Sequence, residues 1–214
     1  MSAPLYLAFI WHMHQPYYRD EATGEATLPW VRLHATKDYL DMVLRLERFP
    51  SIHQTFNLVP SLLDQLDAYL PPANRSDVFL DHVRAPAAEL TDPQRRFLLQ
   101  WFFLANVERM IAPYPRYHDL LAKRGASFEE QDWAAVARRF STQDYLDLQI
   151  WFTLVWMDPW LRRQEPRLAA LERQGGQFTE EDKRELLACH LAWLARVVPA
   201  YRDAAAQGRV ELTT

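Results

Sequence analysis

Cysteine is nearly absent. Cys189 is the only one in 214 residues, so no intramolecular disulfide is possible and nothing points to a stapled secreted scaffold. Glycine is scarce too, at five residues, which leaves few tight turns, disfavours all-β folds and favours long helices. Positive charge is not in excess. The 24 Lys and Arg face 28 Asp and Glu for a net charge of −4, which argues against the basic face of a nucleic-acid binder. The longest largely apolar run, Ile150 to Met157, falls far short of the ~20 residues a membrane span needs. The opening Met1–Pro4 has no basic region, and His12 and His14 interrupt the apolar stretch after it, so a signal peptide is not expected there. The expectation is a soluble cytoplasmic protein with neither nucleic-acid nor membrane partners.

What is present is ordinary globular material, 49% hydrophobic and 13% aromatic, long enough to build a core without a staple. Leu5 to Trp11 is apolar and lies between Pro4 and Pro16, the pattern of a buried strand. Alternation puts Tyr6, Ala8, Ile10, His12 and His14 on one face, and Leu5, Leu7, Phe9, Trp11 and Met13 on the other, which is expected to lie under helices. Residues 17–29 read as a loop. Trp30 to Phe49 has helical periodicity, and Ile52 to Leu58 alternates as a second strand. Pro60 opens a short helix that Pro71–Pro72 ends. This β-loop-α-β-α order starts a parallel α/β arrangement.

From Asp77 to Gln207 the pattern is almost wholly helical. Thr91 with Gln94 and Ser127 with Glu130 form capping boxes, the first opening a helix from Arg95 to Ile111 and the second one to about Phe140. Thr142 to Met157 reads as a buried helix. Asp158 caps a segment that runs to Gly175–Gly176. Thr179 with Asp182 opens the last helix, which Gly208 closes. Arg209 to Thr214 then reads as a strand, either a C-terminal edge or the next strand of a sheet that continues.

Two histidines at i, i+2 on a strand point the same way, and the C-terminal ends of strands are where β/α barrels place chemistry. His12 and His14 therefore admit three readings: a metal pair awaiting further ligands, a sugar subsite donating hydrogen bonds to hydroxyls, or structural histidines bonded to backbone. Trp30, Arg32 and His34 surround the entry to the first helix and lie near the same mouth, or they pack an ordinary interface. Asn57 ends the second strand, as a mouth residue or a turn residue. Arg95–Arg96, Arg138–Arg139 and Arg162–Arg163 read as solvated helix faces. Trp101, Trp151, Trp156 and Trp193 read as core. No pair of carboxylates at strand ends, no Gly-rich phosphate loop and no nucleophile elbow is identifiable.

Trp11-His-Met-His-Gln-Pro-Tyr-Tyr18 resembles the first signature of glycoside hydrolase family 57. The runs Leu28 to Met42, Gln54 to Leu62, Asp147 to Phe152 and Val210 to Thr214 are similar to that family as well. The resemblance implies an α/β fold: the N-terminal portion of an incomplete β/α barrel with a large, mostly helical segment. Residues 1–70 would supply strand-helix units, 77–207 the helical segment and 209–214 the start of the next strand, all within one catalytic domain. It implies a retaining enzyme acting on α-glucans, with a glutamate nucleophile, an aspartate acid/base and no cofactor. It places His12 and His14 in the subsite of the reacting sugar. Gln15 matches the motif as a residue shaping the loop, and Trp30, Arg32, His34 and Asn57 are neighbours of the mouth. The family's glutamate and aspartate motifs have no counterpart in these residues. The expected partners are therefore an α-glucan or maltooligosaccharide and the remaining part of the same enzyme. A metal-dependent barrel hydrolase and a non-catalytic helical interaction protein are the competing readings.

Overall fold

In the computed structural model, which describes residues 5–20, 22–125 and 132–214, the chain divides into two units. Residues 1–76 and 191–214 form the first, and residues 77–190 the second.

The first unit holds a three-stranded parallel sheet in the order β1 (Ile10–Met13), β2 (Gln54–Leu58), β3 (Val210–Thr213). The helical run after β1 comprises α1 (Trp30–His34), a π-turn over Ala35–Tyr39, α2 (Leu40–Arg45) and a 3-10 turn over Leu46–Arg48. After β2, Val59 is the extended residue ahead of α3 (Pro60–Ala68), whose leading proline has no N–H and so needs no capping acceptor. Asn57 therefore has no capping role; its side chain stays on the sheet. The core lies on one face of the sheet. Met13, Phe56, Leu58 and Val210 are buried there, and Tyr201 meets the Phe56 ring edge-on at 5.0 Å while donating to the carbonyl of Tyr39 at 2.8 Å.

The first strand departs from expectation. It begins at Ile10 and not Leu5, and the expected burial is absent: Leu5 and Tyr6 are each 86% exposed and Ile10 70%. The parity of the two faces is as the alternation predicts, but of the apolar face only Met13 is covered. The reason is the topology. β1 has a strand on one side only, and along Leu5–Ile10 no described residue supplies a covering layer.

The second unit contains α4 (Val78–Arg84), α5 (Asp92–Trp101), α6 (Pro115–Arg124), α7 (Trp133–Ala137), α8 (Thr142–Val155), α9 (Pro159–Gln164) and α10 (Pro166–Gln174). To these is added α11 (Glu180–Ala206), whose residues from Leu191 on belong to the first unit. The local signals mostly hold. Thr91 and Gln94 close a reciprocal capping box, Asp158 accepts the amides of Trp160 and Leu161, and Thr179 and Asp182 cap each other. Ser141 and Asp144 form a further box at the start of α8. The expected box of Ser127 and Glu130 lies outside the described residues.

Three expectations need correction. The helix from Arg95 stops at Trp101, and Val107–Ile111 is a separate π-turn capped by Asn106. The segment after Asp158 is two helices, because Pro166 has no amide hydrogen to continue α9. Arg162 is not solvated. It is buried, with its guanidinium over the Tyr114 ring, a bond to the Tyr114 hydroxyl and Glu172 at 3.3 Å. Of the tryptophans assigned to the core, Trp151 and Trp193 are buried and Trp101 and Trp156 half-buried.

α8 is buried around its circumference from Asp144 to Val155 and central to this unit. Its buried polar side chains are bonded. Asp147, fully buried, accepts Arg116 Nε at 2.7 Å, Gln143 Nε2 at 2.9 Å and the amide of Phe178 at 3.0 Å. Gln149 donates to the carbonyls of His82 and Ala85 and accepts the buried Lys183 ammonium. Among the described residues no helix is long and apolar enough to cross a membrane.

Candidate functional site

The face of the sheet opposite the core is polar, and strand register lines up its side chains. His12, Asn57 and Thr213 occupy one row across the three strands; Ile10, Thr55 and Glu211 occupy the next. The rows are bonded laterally. His12 Nδ1 lies 2.7 Å from Asn57 Oδ1, Asn57 Nδ2 donates to Thr213 Oγ1 at 3.1 Å, and Thr55 Oγ1 donates to Glu211 Oε2 at 3.1 Å. His14, one step past the strand end, stacks on His12 with ring centroids 5.6 Å apart and planes 19° from parallel. Both imidazoles are exposed. The two histidines therefore share a face, as the spacing predicts.

The turn after β1 is held from behind. Gln15 donates from Nε2 to the Tyr39 hydroxyl and accepts from the Tyr18 hydroxyl, each at 3.0 Å, while the Tyr39 hydroxyl approaches the carbonyl of His14 at 3.5 Å. Burial pushes the Tyr39 phenol up, so it stays neutral and serves as both donor and acceptor. Gln65 of α3, also buried, ties the same loop by accepting the Tyr18 amide and donating to the Pro16 carbonyl. Gln15 thus shapes the loop and is itself half-buried.

His34 and Trp30 approach from α1. The His34 ring lies 6.3 Å from Tyr39 and 6.3 Å from Trp30, and His34 Nδ1 is 2.5 Å from Asp38 Oδ2. Burial works against ionisation of Asp38, but the His34 bond and the nearby Lys37 ammonium hold its carboxyl below the usual range. Arg32 does not reach the rim. It is fully buried, so its side chain is not open to a ligand. The structure thus brings together His12, His14 and Asn57 directly, Gln15 through Tyr39, and His34 and Trp30 behind Tyr39.

Sequence reasoning missed Thr55, Glu211 and Thr213. The alternation of β2 and the short C-terminal strand were both visible, but nothing local states that Glu211 and Thr213 stand beside residues 156 positions earlier. Among the described residues no group of three or more His, Cys, Asp or Glu is arranged to hold a metal ion. Among the described residues, His12 and His14 therefore have no third ligand beside them.

A family model for glycosyl hydrolase family 57 matches residues 8–214. The chain belongs to glycosyl hydrolase family 57. Its activity class is accordingly that of a glycosidase or transglycosidase, and carbohydrate fits as substrate. No curated protein and no solved structure matches the chain. For a family 57 chain, the three-strand parallel sheet with its many helices is consistent with part of an α/β barrel.

Proposed function

We propose that this family 57 chain supplies the sugar-holding part of a retaining glycosidase or transglycosidase acting on α-glucans. The observation that carries the reading is the polar face of the sheet. His12, His14, Asn57 and Thr213 present imidazole, amide and hydroxyl groups together toward the C-terminal ends of the parallel strands, and Thr55 and Glu211 add a hydroxyl and a carboxylate one row earlier on the same face. Such a set suits hydroxyl-rich ligands, each group offering a donor or an acceptor. Strand ends are also where barrel enzymes place their sites.

Retention in this chemistry uses two carboxyls about 5–5.5 Å apart. The rows described here offer one carboxylate, Glu211, bonded to Thr55. Glu211 matches neither catalytic motif, so a barrel completed by further strands beside the open edge of β1, where Leu5, Leu7 and Ile10 are exposed, would supply both carboxyls and would cover that apolar strip. On this reading the purified chain binds maltooligosaccharides and does not turn them over.

The test is titration of purified protein with a maltooligosaccharide series, in parallel with a reducing-sugar assay. Binding that His14→Ala and Asn57→Ala each weaken, without turnover, supports the proposal. Turnover abolished by His14→Ala overturns the assignment of inactivity. Binding unaffected by either substitution overturns the site.

A further inference from the structure

We propose that Asn57 is a positioning residue that fixes the tautomer of His12, so that this imidazole offers Nε2 as a hydrogen-bond acceptor on the polar face of the sheet. The geometry is a three-strand relay. Pairing of β1, β2 and β3 sets His12, Asn57 and Thr213 side by side, and the side chains bond in that order at 2.7 and 3.1 Å. A carbonyl oxygen only accepts, so Asn57 Oδ1 requires the proton on His12 Nδ1. Neutral imidazole carries one proton, which leaves Nε2 with its lone pair.

The opposite amide orientation would set the Asn57 NH2 against a bare His12 Nδ1 and let the carbonyl accept from Thr213. That arrangement satisfies only the neutral ring. An imidazolium donates from both nitrogens and has no lone pair for an amide donor. The orientation with Oδ1 facing His12 accepts from the ring in either charge state. Stacking against His14 at 5.6 Å further restricts the ring.

The choice of asparagine is part of the device. A carboxylate in the same place would hold a second proton on His12 and turn Nε2 into a donor. The neutral amide orients the ring without recruiting that charge, so His12 accepts a hydroxyl proton from its ligand. That the ligand is a sugar rests on the function proposed above; the tautomer does not.

Nitrogen-15 correlation spectra of the purified chain, recorded at neutral and mildly alkaline pH without ligand, test the inference. His12 is expected to show a pyrrole-type Nδ1 and a pyridine-type Nε2, with exposed His53 as the reference ring. Asn57→Asp, nearly isosteric, is expected to raise the imidazolium population of His12 about tenfold at neutral pH. Asn57→Ala releases the ring toward the Nε2–H form, and Thr213→Val moves it part of the way. A pyridine-type Nδ1 in the native chain overturns the proposal, as does a tautomer that Asn57→Ala leaves unchanged in a folded sample. Adding maltooligosaccharide to the same samples separates the two readings. A correct tautomer with no sugar-induced shift refutes the sugar subsite and leaves the positioning role intact.

Discussion

Substitution of Asp147 is expected to be the costliest single polar change in the second unit. This carboxylate is fully buried and is the point at which α6, α8 and the loop before α11 are joined, through Arg116, Gln143 and the amides of Gln177 and Phe178. In Asp147→Ala the partners do not suffer equally. Arg116 keeps Asp144 at 2.7 Å and Gln143 keeps the Phe178 carbonyl, so neither is stranded. The Phe178 amide is buried and loses its acceptor, at a cost of about 1–3 kcal/mol, and the charge-assisted bond to Arg116 is worth about 1.5–3 kcal/mol. Because Arg116 is 26% exposed, the lower part of its range applies, and with the buried Phe178 amide a total near 3 kcal/mol is expected. Asp147→Asn retains an acceptor for Phe178 but turns a donor toward Arg116 or Gln143, and about 2 kcal/mol is expected. Equilibrium urea unfolding read by tryptophan fluorescence measures both, since Trp151 lies on the same helix. Asp92→Ala is the control. Asp92 is 95% exposed and its pair with Arg95 spans 3.5 Å, so a change within about 0.5 kcal/mol is expected. An Asp147→Ala loss below about 1 kcal/mol, or one no larger than that of Asp92→Ala, refutes the reasoning.

Acid sensitivity follows from Asp144. Burial opposes its ionisation, but Lys123, the Ser141 amide and hydroxyl and Arg116 hold its carboxyl down at about 2, against 3.8 for the free group. A lowered folded-state value means the stabilisation is complete above pH 3.8 and is lost as pH falls from there toward 2. After screening by the half-exposed Lys123 it amounts to roughly 1–2 kcal/mol. Asp144→Asn should flatten that limb of the stability–pH curve, and an unaltered limb contradicts the assignment. Thr91→Ala removes one side of the α5 capping box and is expected to cost about 1 kcal/mol, measured by urea titration and absent in Thr91→Ser. Leu7→Ser and Phe9→Ser replace side chains 75% and 55% exposed; each should change chain stability by less than about 0.5 kcal/mol. A larger loss would mean that the strip is covered in solution.

Much of the helical unit was legible because its signals are local. A capping box or a proline at a helix start acts within four residues, and Thr91, Asp158 and Thr179 do what their neighbours dictate. What failed was burial. Arg162 reads as a surface charge beside Arg163, yet it faces Tyr114 and Glu172. Leu5 to Trp11 reads as interior, yet only one strand lies beside it. Hydrophobicity says that a segment prefers to be covered; whether a layer exists to cover it is decided by the packing of distant elements.

The candidate site divides along the same line. The sequence alone determined that His12 and His14 share a face, because side chains alternate along any strand. It equally determined that Asn57 stands on the polar side of β2. Only the tertiary structure decided that Asn57 faces His12, that Thr213 holds the far end of its amide and that Glu211 lies in the adjoining row. Those pairings depend on strand register across gaps of 45 and 156 residues. Register is set jointly by the helices and loops between the strands, and no short stretch of chain encodes it.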